Sequence, residues 1–317
     1  MNKAEKIKSI IDSGEDFLIT THIDPDGDAV GSVLSLYLAL QSMNKRPLVY
    51  LKDNVPYRYE FLPGSGDVLH SIPENRYDAL FVLDCGSFFR VGEGYESFKE
   101  QKTIVNIDHH NTNEEFGTIN ITNDKASSTA EILYGLYKNL DIALSSDIAL
   151  NIYTAIVTDT GSFRYENTNP EAFSICEEMV RLGVNPSFVA QMVYENHPKE
   201  RFLLLGLVLS TLKTYNEDKI AIAHVTEEMF KKTNSSREHT DGFAEYIREI
   251  HGIDAAILIR EINSGRHKIS MRSKGTMDVA RICNIFGGGG HRNAAGCTID
   301  GNLEETEKKL KEVLKIS

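Results

Sequence analysis

The chain has 317 residues, with 34 Lys and Arg against 46 Asp and Glu, for a net charge of −12. With 41% hydrophobic and 25% charged residues it has the composition of a soluble chain of about two domains, not of a disordered or fibrous polymer. The acidic excess argues against a general affinity for long polyanions, and Cys85, Cys176, Cys283 and Cys297 lack the spacing of a zinc knuckle or a disulfide framework.

Residues 1–17 carry charged and apolar residues at helical spacing and lack the apolar core of a signal peptide. No window approaches the roughly 20 apolar residues of a membrane span, so the expected location is the cytoplasm and no membrane partner is expected. Apolar runs at 16–22, 46–51, 78–85 and 102–110 predict buried strands. Apolar residues at three-to-four spacing predict helices over 29–43, 127–140 and 145–159. This alternation implies βαβ units, hence an α/β fold with a mainly parallel sheet. Ligands of such sheets sit at the carboxyl ends of the strands, where His22, Asp84, Asp108 and His109 fall.

The domain division expected is 1–185, then a helical linker over 186–216, then a smaller α/β domain with a mixed sheet over 217–317. In that last part strands are predicted over 219–225, 254–262 and 266–273, with a hairpin turn at Asn263-Ser264-Gly265. Helices are predicted near 240–250, over 278–286 and from about 303, with a glycine loop over 287–290. Residues 217–317 hold 16 basic and 16 acidic side chains, so the whole acidic excess lies before them. Seven basic residues against two acidic ones over 260–292 form a local patch able to hold phosphates.

The segment from Thr21 to Asp28 places three carboxylates (Asp24, Asp26, Asp28) and His22 where a strand enters a helix. Helix capping would explain one such Asp, whereas three with a histidine repel unless cations offset them. Asp84 ends a strand before a glycine turn. Asp108, His109 and His110 end another. Asp159 lies late in a helix, where its charge opposes the dipole. Two histidines and at least four aspartates exceed the needs of one octahedral ion that also keeps waters, and suit two divalent ions sharing a carboxylate. Mixed imidazole and carboxylate donors favour Mn²⁺, Fe²⁺, Co²⁺ or Zn²⁺, and a two-metal site suits displacement at phosphorus. Further on, four consecutive glycines allow backbone to approach an anion, and Arg272 can pair with a phosphate through two N–H groups. Phe163, Arg164 and Tyr165 could touch a base or phosphate, or pack in the core.

HIDPDGDAVGS, LDCGS, IDHHNTN and TDTGSF resemble, in order, the four motifs of the DHH phosphoesterase superfamily. GGGGHRNAAG resembles the signature of the accessory DHHA1 domain, and Ser270-Met271-Arg272-Ser273 its other substrate motif. The layout looks like the bifunctional oligoribonuclease/pAp phosphatase (nanoRNase) branch. The resemblance implies two divalent ions, manganese first among them, held by His22, Asp26, Asp28, Asp84, His109 and Asp159. Asp24 is left to capping or support. It implies that His110 contacts the scissile phosphate, that Asp108 orients the neighbouring histidine, and that Arg272, Ser273, Gly288, Gly289, Gly290, His291 and Arg292 bind substrate.

The expected reaction is hydrolysis of short single-stranded RNA to 5′-mononucleotides, together with removal of the 3′-phosphate of 3′-phosphoadenosine 5′-phosphate. A stand-alone phosphodiesterase of cyclic dinucleotides or pGpG is the alternative, followed by a RecJ-like exonuclease. A manganese pyrophosphatase should lack GGGGH, and a non-catalytic nucleotide-binding module should have lost a ligand position. The sequence leaves the assembly open, a homodimer included.

Overall fold

Three short apolar runs become the centre of a parallel sheet. In a computed structural model, which describes residues 2–72, 76–92, 98 and 101–315, the sheet comprises β1 (Asp16–Thr20), β2 (Arg46–Val49), β3 (Ala79–Leu83), β4 (Ile104–Asp108) and β5 (Ile119–Thr122). Their order is β2-β1-β3-β4-β5, every pair parallel. The central strands β3 and β4 are buried along their whole length, as strands covered on both faces must be. β5 is half-buried throughout, and its INIT run has too little apolar contrast to be legible in the sequence.

Alternate strand residues divide between two cores. Phe17, Ile19, Phe81, Leu83, Val105 and Ile107 face the larger one, and Leu18, Leu80, Val82 and Ile104 the smaller. Each such side chain contributes about 1.5–3 kcal/mol by leaving water. The helices of this part are α1 (Lys3–Ser13), α2 (Gly27–Ser42), α3 (Thr129–Asn139), α4 (Ser146–Asp159), α5 (Pro170–Arg181) and α6 (Pro186–Ala190). α1 starts in a capping box between Asn2 and Glu5. α2 is buried nearly all round, so no polar face marks its orientation in the sequence. From β1 the chain passes first to β2 on one side and then to β3 on the other, which puts a topological switch point at the carboxyl ends of β1 and β3.

The chain divides into two units between Asn196 and His197. Both sides of that division hold residues expected to form the linker. Val189 and Val193 pack in the first core, while Leu204 and Val208 of α7 (Lys199–Leu209) pack in the second unit.

The second unit holds β6 (Lys213–Tyr215), β7 (Ile220–Val225), α8 (Glu227–Thr233), α9 (Phe243–Arg248), β8 (Ala255–Asn263), β9 (Arg266–Ser273), α10 (Val279–Ile285), β10 (Gly289–His291), β11 (Ala294–Asp300) and α11 (Leu303–Leu314). Its sheet order is β10-β11-β9-β8-β7-β6, with β7 and β8 parallel and the other pairs antiparallel. β8 and β9 turn at Ser264-Gly265 as expected. One face of β8, β9 and β11 (Ile257, Ile259, Ile269, Met271, Ala295, Cys297, Ile299) packs on Val279, Cys283 and Leu310 of α10 and α11.

The glycines differ from their expected loop. Gly289, Gly290 and His291 form β10, paired with Gly296, Ala295 and Ala294. A Cβ on Gly288 would lie 2.2 Å from the Gly296 carbonyl oxygen and 2.4 Å from Cys297 Cβ. One on Gly290, at φ +140°, would lie 2.5 Å from the Ala294 carbonyl oxygen. The hairpin therefore excludes side chains at both positions by packing alone.

Candidate metal centre and family

The carboxyl ends of β1, β3 and β4 deliver three of the four aspartate and histidine groups, and α4 delivers the last. His22 follows β1 by two residues, Asp84 follows β3 at once, and Asp108 ends β4, with His109 and His110 next. Asp28 lies in the first turn of α2 and Asp159 ends α4. All converge on Asp84, which takes φ +50°, a left-handed value uncommon outside glycine. Asp84 lies 3.6 Å from Nε2 of His22, 3.6 Å from Nε2 of His109 and 3.6 Å from Nδ1 of His110. His109 Nε2 also lies 3.8 Å from Asp28 and 3.5 Å from Asp159. Donor atoms of His22, Asp26 and Asp84 lie within 4.8 Å of one another, as do those of Asp28, Asp84 and His109.

The orientation of the imidazole rings bears on whether cations fit here. His22 Nδ1 lies 2.8 Å from the Ile23 carbonyl oxygen, and His109 Nδ1 lies 3.3 Å from that of Ala126. A carbonyl oxygen only accepts, so each Nδ1 carries a proton and each ring presents its Nε2 to carboxylate oxygens. These Nε2 atoms lie 3.5–3.8 Å from the oxygens of Asp28, Asp84 and Asp159. Such an arrangement of buried carboxylates and imidazole nitrogens suits divalent cations placed among them. Its mixed nitrogen and oxygen donors fit Mn²⁺, Fe²⁺, Co²⁺ or Zn²⁺ better than Ca²⁺.

Carboxyl electrostatics agree. Burial, then the charges of Asp84 and Asp159, push the Asp28 carboxyl well above its usual range. Burial, then Asp26 and Asp84, do the same to Asp159. Burial acts likewise on Asp84, but His22, His110 and His109 outweigh it and hold that carboxyl below the usual range.

Supporting contacts reveal residues that the motifs did not single out. Asp28 accepts from the backbone N–H groups of Thr129 (2.6 Å) and Ala130 (3.1 Å) at the start of α3, and from the Ser32 hydroxyl (3.0 Å). The Thr129 hydroxyl donates to Asp84 at 3.0 Å. The Asn167 amide donates to the Asp159 carboxylate and carbonyl and to the Ser127 carbonyl. Asn113 donates to Asp108 at 2.6 Å and to Asn106 at 2.8 Å, and Asn106 donates to the Val82 and Cys85 carbonyls. A polar side chain wholly buried in an apolar strand, as Asn106 is, was the available signal for this network.

Two expectations change in detail. The N-cap of α2 is Asp26, whose carboxylate accepts from the N–H groups of Asp28 and Ala29, so Asp24 does not cap it. Instead the Asp24 backbone N–H donates to Asp53. Asp108 contacts His110, at 2.7 Å from Nδ1, while adjacent His109 is oriented by the Ala126 carbonyl. Burial works against a charge on His110, but the bond to Asp108 and the charges of Asp84, Asp108 and Asp159 raise it to about 9. Phe163 is packed, stacking on Phe173 at 4.6 Å.

The residues expected to bind substrate lie in the second unit. Arg272 donates to Glu245 at 2.6 Å and to the Met271 carbonyl, holding the Glu245 carboxyl below its usual range against burial. Ser273 is buried, its hydroxyl bonded to the Met277 carbonyl at 2.8 Å and to Asn293. Arg292 donates to the Thr276 carbonyl. His291 and Arg272 both pair with Ala294, one from each side, so the three share one cross-strand row.

Residues 16–156 match the DHH family, N-terminal domain, and residues 217–316 match the DHHA1 domain. The chain belongs to the DHH family of phosphoesterases. It is similar to the bifunctional oligoribonuclease and PAP phosphatase NrnA of Thermus thermophilus, with 33% identity over 94% of this chain and 88% of that one. The Bacillus subtilis protein of the same name is 23% identical over 94% of this chain and 93% of its own. In structure it resembles an exopolyphosphatase-related protein from Bacteroides fragilis, with TM-score 0.91 and 30% identity over 99% of this chain and 95% of that one. Among the described residues no helix is long and apolar enough to cross a membrane.

Proposed function

We propose that this phosphoesterase hydrolyses short oligoribonucleotides to 5′-mononucleotides and removes the 3′-phosphate of 3′-phosphoadenosine 5′-phosphate, using two divalent cations with manganese preferred. The observation that carries the reading is the pair of imidazole Nε2 atoms, from His22 and His109, turned towards the buried carboxylates of Asp28, Asp84 and Asp159. The activities for which the Thermus thermophilus and Bacillus subtilis relatives are named support the choice of substrates. Buried free thiols at all four cysteines fit action in a reducing compartment.

The cations would be held by His22, Asp26, Asp28, Asp84, His109 and Asp159, and when bound would supply Lewis acidity at phosphorus and ease deprotonation of the attacking water. Asp84, facing three histidines, is the carboxylate suited to sharing. His110 keeps its Nδ1 proton on Asp108 and can donate from Nε2 to an oxygen of the scissile phosphate. Asp108, itself clamped by Asn113, holds the ring for that donation. In the second unit Arg272 and His291 would take a substrate phosphate, with the backbone of Gly288, Gly289 and Gly290 lining the approach and Arg292 beside it. Ser273 would act through the loop that its hydroxyl holds.

A manganese-supplemented assay comparing 3′-phosphoadenosine 5′-phosphate, pGpG, short RNA, longer RNA and pyrophosphate tests the reading. The expected ranking places 3′-phosphoadenosine 5′-phosphate and short RNA ahead of the rest. Turnover of pyrophosphate alone would overturn it.

A further inference from the structure

One short segment supports most of the metal centre without supplying a ligand to it. The Ala126 carbonyl orients His109, and the Ser127 carbonyl takes the Asn167 amide that also holds Asp159. The Thr129 and Ala130 N–H groups hold Asp28, and the Thr129 hydroxyl holds Asp84. Four of the six proposed ligands therefore depend on the path of the chain from Ala126 to Ala130. Ser127, Ser128 and Thr129 are wholly buried. A shift of this segment would move ligands drawn from α2, α4 and the ends of β3 and β4 together.

Glu131 fixes that path. Its carboxylate accepts from the Ser127 N–H at 2.8 Å, the Ser127 hydroxyl at 2.6 Å and the Asn169 amide at 3.1 Å. Asn169 caps α5 by accepting from the Ala172 N–H at 2.8 Å, and it donates to the Lys125 carbonyl at 3.2 Å. Glu131 thus ties the residues before α3 to those before α5, and Asn167 closes the same connection at Asp159. Ser128-Thr129-Ala130-Glu131 has the spacing of a capping box. The Ser128 hydroxyl does accept from the Glu131 N–H, but the Glu131 carboxylate reaches past the N-cap to Ser127. Capping α3 needs only the Ser128 contact, so this carboxylate is committed to the segment rather than to the helix end. Thr129 and Ala130, in the first turn of α3, keep their N–H groups, which no helical carbonyl can take, for Asp28.

We propose that Glu131 is a positioning residue of the metal centre: through Ser127 and Asn169 it locks the backbone that aims Asp28, Asp84, His109 and Asp159. The inference rests on the divalent-cation reading above and deepens it. Glu131 acts through these neighbours, and no bond is made or broken at its side chain. Sites held to a fixed geometry depend on contacts of this kind behind the ligands.

The test measures the Mn²⁺ affinity of the full, chelator-treated chain by isothermal titration calorimetry, beside its thermal melting curve. Glu131→Ala should weaken Mn²⁺ binding about 10- to 100-fold. Glu131→Gln, whose amide oxygen still accepts from both Ser127 donors, should recover most of that loss. The control is Glu178→Ala. Glu178 of α5 accepts from Tyr134 and Lys138 of α3, so its removal loosens the α3–α5 contact without touching the segment and should leave Mn²⁺ affinity at the parent value. Parent affinity in a folded Glu131→Ala chain, an equal loss in Glu178→Ala, or no recovery in Glu131→Gln would overturn the assignment. Should Glu131→Ala fail to fold, Ser127→Ala removes the hydroxyl bond alone: weaker Mn²⁺ binding supports the lock, and parent affinity overturns it. A parent chain that takes up no Mn²⁺ would end the cation reading and this inference together. A parent whose Mn²⁺ binding depends on Glu131 but which hydrolyses no ribonucleotide would lose the proposed substrates and keep the positioning role.

Discussion

The two units solve opposite electrostatic problems. The first buries carboxylates at the ends of parallel strands, where Asp28, Asp84 and Asp108 are almost wholly removed from water. The second keeps Arg272 half-buried on a sheet face, bonded to the Glu245 carboxylate. Buried like charges are tolerable only with a counter-charge, so the first unit is built around something it must bind. A half-exposed arginine with a carboxylate partner needs no ligand to be stable, which suits the loose, exchangeable substrate binding proposed for the second unit.

The sharpest way to break this contrast is to remove the central anion. Asp84→Ala should lower kcat on a dinucleotide by roughly a thousandfold or more, equivalent to about 4 kcal/mol of barrier, and metal analysis should find less bound manganese. Wild-type turnover in that variant would end the two-metal assignment. Next in size is Asn113→Ala, which frees Asp108 and so loosens His110. Its kcat should fall about 10- to 100-fold with manganese content unchanged, as for other residues that orient a working group through a neighbour.

In the second unit the effect should appear in binding. Arg272→Ala should raise KM about tenfold, near 1.4 kcal/mol, with a smaller change in kcat and full metal content. Glu245→Gln, which leaves the guanidinium but weakens its anchor, should move KM by less. The smallest expected effect on chemistry comes from Gly288→Ala. It should destabilise the second unit by about 1–3 kcal/mol, visible as an earlier thermal transition, while manganese binding is retained. Retention of the parent melting curve would show that the hairpin can shift to admit a Cβ.

Much of this was legible because the chemistry departs from local rules. Three acids and a histidine in one turn, and Asp159 at the wrong end of a helix dipole, mark positions where cost must be offset. The central strands were visible as apolar runs and the β8–β9 turn as Asn-Ser-Gly. Other features depend on distant partners. β5 is too mixed in polarity to announce itself, and β10 and β11 open on glycines and alanines, whose pairing only the sheet decides. Nothing near Thr129 indicates that its N–H will meet Asp28, 101 residues earlier. Nor does Asn113, read as part of a motif, reveal that its side chain clamps Asp108.

The glycine hairpin bears on how such chains should be compared across lineages. Gly288 and Gly290 are barred from carrying a side chain by the backbone of β11, whatever the unit binds. A descendant that had drifted to a new ligand, or had lost its aspartates altogether, would still be held to glycine there by the need to close the hairpin. Persistence of that run in a diverged chain therefore marks an intact sheet edge. Claims about inherited chemistry should rest on Asp84 and the histidines that face it.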